Sequence, residues 1–138
     1  MKSDEELLKT FKVEKLDGDI ISVNITESES EEDNNGRQAD LLAAAIMEVV
    51  NRAPNIAYKF LVDLTLTGTV SYISPHAREV YTHLSKTSTL DRAAIIGHNL
   101  MLEIAVNLLM QATGRSQSFK WFSGKEEALS WLKKINED

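Results

Sequence analysis

The residues after Arg37 keep switching between two hydrophobic periods, and this most limits the folds open to the chain. Residues 37–52 are rich in alanine and leucine with no breaker, so they form a helix that Ala53-Pro54-Asn55 ends. AYKFLVDLTL (57–66) is rich in β-formers and predicts a strand buried on at least one face. Ser74-Pro75 is a helix cap with proline at the first helical position. Over 75–86, Ala77, Val80, Tyr81 and Leu84 then give the i, i+3, i+4, i+7 stripe of an amphipathic helix. RAAIIG (92–97) has the apolar run of a central strand. Asn99 caps a helix over 100–113 that Gly114 stops, and SFKWF (118–122) is a short aromatic strand. Ser123 and Glu126 have the spacing of a capping box for a last helix, with Ala128, Trp131, Leu132 and Ile135 inward. Strands that alternate with helices pair in parallel through right-handed crossovers.

The first quarter is different. FKVEKL (11–16), the turn Asp17-Gly18-Asp19 and IISVNI (20–25) predict a hairpin, which adds an antiparallel edge. Residues 1–9 are an N-terminal segment without a predicted element. TESESEEDNNG (26–36) has no apolar residue and is expected to be a solvated, mobile acidic loop. Its acids do not follow calcium-loop spacing. The expected fold is therefore α/β in the order β-β-α-β-α-β-α-β-α. It has a mixed, mostly parallel sheet of about five strands and four helices in a single domain over residues 1–138.

Charge and composition exclude several functions. The net charge of −6 is concentrated at one end: residues 1–36 hold 4 Lys/Arg against 11 Asp/Glu. Phosphates would be repelled there, and no basic cluster follows, so no nucleic-acid partner is expected. There is no cysteine, hence no disulfide or thiolate metal site. No run reaches the ~18 apolar residues of a membrane span, and a cytoplasmic protein is expected.

DLTLTGTVSYISPHA (63–77) bears hydroxyls at 65, 67, 69, 71 and 74. It lacks the glycines and the lysine of a phosphate-cradling loop, so no nucleotide cofactor is expected. Its threonines are expected to line one face of a strand end, and Ser74 to cap the next helix. Added charge at a helix start would meet the positive end of the dipole, which makes Ser71 and Ser74 the candidate phosphorylation sites. Ligands of open α/β sheets bind beyond the carboxyl ends of the strands, so Asp63, Thr65, His98 and Asn99 are candidates for a crevice rim. Acid–base work by His98 with Asp63 is the weakest reading, because no nucleophile motif accompanies the pair, and no catalytic residue is assigned. His76, Glu79 and His83 share a helix face but match no zinc motif, so no metal is assigned.

LMLEIAVNLLMQAT (100–113) has one narrow polar stripe, Glu103, Asn107 and Gln111, and is otherwise apolar all round. A helix on one side of a sheet normally shows water a wider polar face. Three readings follow: a core helix, a wall of an apolar cavity, or an interface with a protein partner or a second copy. For the interface, Met101, Ile104, Leu108 and Met110 are the candidates.

LDRAAIIGHN (90–99), the helix ending ATGRS (112–116) and FKWFSGKEEALSWLKK (119–134) resemble the STAS-like family of bacterial anti-sigma-factor antagonists. They are most similar to its SpoIIAA-like branch, which is grouped with lipid-binding domains. YKFLVDLTLTG (58–68) fits the third strand of that family. The resemblance implies a non-catalytic regulatory or protein-interaction module. Its lipid-binding relatives imply, as the alternative, a binding protein for a small apolar or lipid-like ligand held between sheet and helices. Members phosphorylated on serine carry an Asp-Ser-Ser/Thr-Gly turn before the second helix. TVSYISPHA stands there instead, and Ser71 and Ser74 are its nearest hydroxyls.

Overall fold

A computed structural model of the protein describes residues 1–67, 72–86, 90–114 and 116–134. Five strands form one sheet in the order β1-β2-β3-β4-β5. They are β1 (Phe11–Leu16), β2 (Ile20–Ile25), β3 (Tyr58–Asp63), β4 (Leu90–Ile96) and β5 (Phe119–Phe122). β1 and β2 are the antiparallel hairpin, with Val13 opposite Val23; every later pairing is parallel. Gly18 and Asp19 take positive φ values of 77° and 60° at the hairpin turn, where glycine and aspartate adopt the left-handed region most readily.

The crossover helices are α2 (Glu32–Arg52), α3 (Pro75–Ser85) and α4 (Leu100–Thr113), and α5 (Lys125–Lys133) follows β5. Strands that add in sequence order through crossovers of one hand put the connecting helices on the same face. On that face Leu42, Ile46 and Val50 of α2 pack on Ile21, Val23, Tyr58 and Phe60. α5 covers the opposite face, where Ala128 and Leu132 pack on Ile20, Leu61, Ala94 and Ile96. The mixed sheet and the four long helices agree with the order expected from hydrophobic period.

Three local expectations change. Residues 1–9 contain a short helix, α1 (Asp4–Leu8), started by a capping box in which Ser3 and Glu6 satisfy each other's backbone amides. The acidic segment 26–36 is not loop throughout, because α2 begins at Glu32 and buries Asn34, Asn35 and Gly36. One of its acids, Glu29, has a partner distant in sequence, and the segment's neighbours add further ties. Lys2 Nζ lies 2.9 Å from the buried Glu29, Lys2 N donates to Asn34 Oδ1 at 2.9 Å, and Arg37 grips Asp4 with two bonds of 2.9 and 2.7 Å. Arg37 holds the Asp4 carboxyl below its ordinary pKa, and Glu29 raises that of Lys2. At the other end, the predicted Ser123–Glu126 box is absent. Gly124 is the N-cap of α5 and no side chain caps it.

Candidate functional site

A pocket of about 180 Å³ lies between the sheet and the three crossover helices. Val23, Phe60, Val62 and Ile95 form its floor, because alternation along each strand sends these residues to the helix-covered face. α4 supplies Leu102, Val106, Leu109 and Met110, spaced so that they share one side of the helix. α3 adds Tyr81 and Leu84, and α2 adds Gln38 and Leu42.

No lysine, arginine, histidine, aspartate or glutamate lines the pocket among the described residues. Most of its polar groups are already used. Asn35 Nδ2 donates to Glu29 O and Tyr72 O, and Asn35 Oδ1 accepts from Ser74 N at 2.8 Å. Thr67 Oγ1 donates to Leu64 O and Ser85 Oγ to Thr82 O. Both amide protons of Gln38 are taken, by Thr10 Oγ1 at 2.8 Å and Glu27 O at 3.0 Å. Four side chains keep free capacity among the described residues: the buried Gln38 through its oxygen, the partly buried Tyr81 and Ser28 through their hydroxyls, and the exposed Tyr72 through its own. Burial pushes the Tyr81 pKa up to about 12, so the phenol stays neutral and able to donate.

The residues singled out from the sequence are placed as follows. Ser74 is fully buried, and its Oγ accepts from Ala77 N at 3.0 Å as the N-cap of α3. Its hydroxyl is therefore used and out of reach while the helix start is closed. Ser71 lies outside the described residues, as does Thr69. Thr65 and Thr67 do not line a strand end, since β3 stops at Asp63 and both sit in the turn after it. There Asp63 Oδ1 accepts from Thr65 N at 2.9 Å and from Thr65 Oγ1 at 2.6 Å, a local turn that ends the strand. His98 is exposed, with Nε2 2.9 Å from the Ser123 carbonyl oxygen, and Asn99 Oδ1 accepts from Leu102 N at 3.2 Å to cap α4. Asp63 and His98 thus have separate partners and form no acid–base pair. None of Asp63, Thr65, His98 and Asn99 lines the pocket. Asp63 follows Val62, and alternation points it to the opposite face.

α4 resolves into two apolar faces. Met110, expected at an interface, is 5% exposed and forms pocket wall. Met101, Ile104 and Leu108 are exposed at 64%, 46% and 62%, with Leu100 at 67% beside them. His76 Nε2 lies 2.8 Å from Asp40 Oδ1, and no cluster of side chains suited to a metal occurs among the described residues. Tyr81 and Gln38 were not singled out from the sequence as site residues. A tyrosine in an otherwise apolar stripe on 75–86 was the available signal, and it was read as core.

No helix among the described residues is long and apolar enough to cross a membrane. Two solved structures share the fold. One is an uncharacterized protein of the DUF3478 family with a SpoIIAA-like fold from Shewanella loihica. It is 20% identical over 88% of this chain and 91% of its own, with a TM-score of 0.61. The other is an anti-sigma factor antagonist from Mycobacterium paratuberculosis, 17% identical over 90% and 93%, with a TM-score of 0.58. No curated protein matches the chain. A family model described as a domain of unknown function, DUF7793, matches residues 33–136. The chain has a STAS-like, SpoIIAA-like fold and belongs to the DUF7793 family.

Proposed function

We propose that the protein is a non-catalytic, cytoplasmic regulatory module that binds another protein through the outer face of α4. One observation carries this reading: Leu100, Met101, Ile104 and Leu108 form a contiguous apolar face that the chain itself leaves open. Single exposed apolar residues are ordinary, but four on one helix face mark a surface that another molecule covers. A helix of this kind offers anchors at i, i+4 and i+8 to an apolar groove. The likeness in fold to an anti-sigma factor antagonist favours a protein as the occupant. A photo-crosslinking amino acid at position 104 in cells, with one at the exposed Glu48 as control, tests it. A single partner protein captured at 104 alone, and lost with Leu108→Asp, supports the reading. Capture of a second copy of the chain, or no excess over the control, overturns it.

The pocket favours a second reading, that the protein binds a small apolar ligand between sheet and helices. The volume narrows the ligand. An engineered apolar cavity of about 150 Å³ takes benzene, whereas sites for drug-sized molecules are roughly 300–1,000 Å³. At about 180 Å³ the pocket suits a single ring or a short chain and is too small for a two-chain lipid. Toluene, tested below, probes this reading.

A further inference from the structure

We propose that the pocket selects an uncharged, ring-sized ligand carrying a hydroxyl group, recognised by the Gln38 side-chain oxygen and the Tyr81 hydroxyl. This rests on the second reading above and gives the site its chemistry.

The inference starts from hydrogen-bond capacity. Gln38 is 4% exposed, and its amide protons are committed to Thr10 and Glu27. Those two bonds fix the amide orientation, because Glu27 O can only accept. What remains is an acceptor, the carbonyl oxygen, on a residue of the pocket wall. An acceptor left open on the wall of a mostly apolar pocket can take a donor from a ligand. Tyr81 is the complementary case. The residue lines the same pocket, and its hydroxyl has no partner among the described residues and stays protonated well above neutral pH. It can donate as well as accept. A ligand hydroxyl supplies the donor that Gln38 lacks and an acceptor for Tyr81.

The same inventory excludes charged ligands. No cationic side chain lines the pocket, so a carboxylate or phosphate would be desolvated without a counter-charge. An ammonium would meet no carboxylate. The apolar remainder of the ligand is set by the aliphatic wall from α4 and the Phe60 and Phe119 rings. Phenols and short-chain or cyclic alcohols have this combination of size, neutrality and a single hydroxyl.

Three probes of near-equal shape separate the claims: toluene, p-cresol and p-toluate, titrated into the full chain and followed by amide chemical-shift changes. The expected order is p-cresol tighter than toluene by about fivefold, as one or two neutral hydrogen bonds provide, with no saturable binding of p-toluate. Tyr81→Phe, which keeps the ring, is expected to reduce the cresol preference to less than about twofold while toluene binds as before. Leu84→Trp, which fills the pocket, is expected to abolish binding of both. Toluene and p-cresol binding equally to the unmodified chain would overturn the hydroxyl recognition and leave the apolar-ligand reading standing. Binding of p-toluate at least as tight as p-cresol would overturn the neutrality argument. If none of the three binds saturably, both the inference and the reading beneath it fall. Because the ligand comparison is made on the unmodified chain, it decides the question even if a variant does not fold.

Discussion

Asn35 Oδ1 accepts a hydrogen bond of 2.8 Å from the backbone amide of Ser74. The same side chain donates to the carbonyl oxygens of Glu29 at 2.9 Å and Tyr72 at 3.2 Å. One buried amide in the first turns of α2 therefore ties the segment before α2 to the segment before α3. Asn35→Ala leaves one backbone amide and two carbonyls without this partner, and it is expected to cost about 2–4 kcal/mol. Denaturant unfolding monitored by tryptophan fluorescence measures it. A loss below about 0.5 kcal/mol would mean that water replaces the amide and the tie is not structural.

Ser74→Ala removes the cap of α3 without touching the bond from its own amide to Asn35. The expected cost is about 1 kcal/mol, the usual value of an N-cap hydroxyl. Thermal unfolding of the two single variants and the double variant would show non-additive losses, since both act on the same helix start. Strictly additive losses would count against a shared unit.

The two faces of α4 should respond oppositely to truncation. Met110 is buried on the pocket side, and Met110→Ala is expected to destabilise by about 2–3 kcal/mol. Leu108 is exposed on the other side, and Leu108→Ala should lie within about 0.5 kcal/mol of the unmodified chain. Chemical denaturation of the isolated protein checks both. A large loss at Leu108 would show that the outer face is already covered in solution.

Gly97 has no room for a side chain. A Cβ there would stand 2.6 Å from Trp121 Cζ2, and Trp121 Nε1 donates to Gly97 O at 3.0 Å. Gly97→Ala is expected to displace the indole, cost about 1–3 kcal/mol and change the tryptophan emission maximum. An unchanged spectrum with unchanged stability would contradict this close approach.

Tyr81 predicts a pH dependence. Burial raises its folded pKa from the ordinary 10.0 to about 12. The folded state therefore keeps the proton longer than the unfolded state does. The associated stability is fully present below pH 10 and is lost as pH rises through 10 towards 12. Ultraviolet titration of the tyrosinate band should show a late-ionising component that Tyr81→Phe reduces. The variant should also lose stability less steeply above pH 10. A late-ionising component left unchanged by Tyr81→Phe would overturn the burial argument.

Much of the fold was legible because it rests on local patterns. The hairpin was set by Asp17-Gly18-Asp19, the α3 start by Ser74-Pro75, and the α4 ends by Asn99 and Gly114. These positions act on their own backbones within a few residues, so reading them needs no knowledge of neighbours. The acidic stretch misled because its partners are distant. Composition marked 26–36 as solvated, whereas Glu29 is buried against Lys2 and Asn35 bonds the distant Ser74 amide. The Ser123–Glu126 spacing misled for the converse reason. It fits a capping box, but the N-cap of α5 falls one residue later, at Gly124.

The apolar α4 was noticed from the sequence, yet its assignment to core, cavity or surface was not available there. Periodicity ranks positions around a helix axis but carries no information on what stands beyond each face. The order of strands and helices and the caps of α3 and α4 were thus determined by the sequence itself, through backbone propensities and hydrophobic period. Only the tertiary structure decided that Met110 walls a pocket while Met101, Ile104 and Leu108 stay open. It also decided that Tyr81 and Gln38 line that pocket, whereas Asp63 and His98 do not. Those outcomes depend on which distant groups packing brings within about 3 Å of one another, and no local pattern contains that distance.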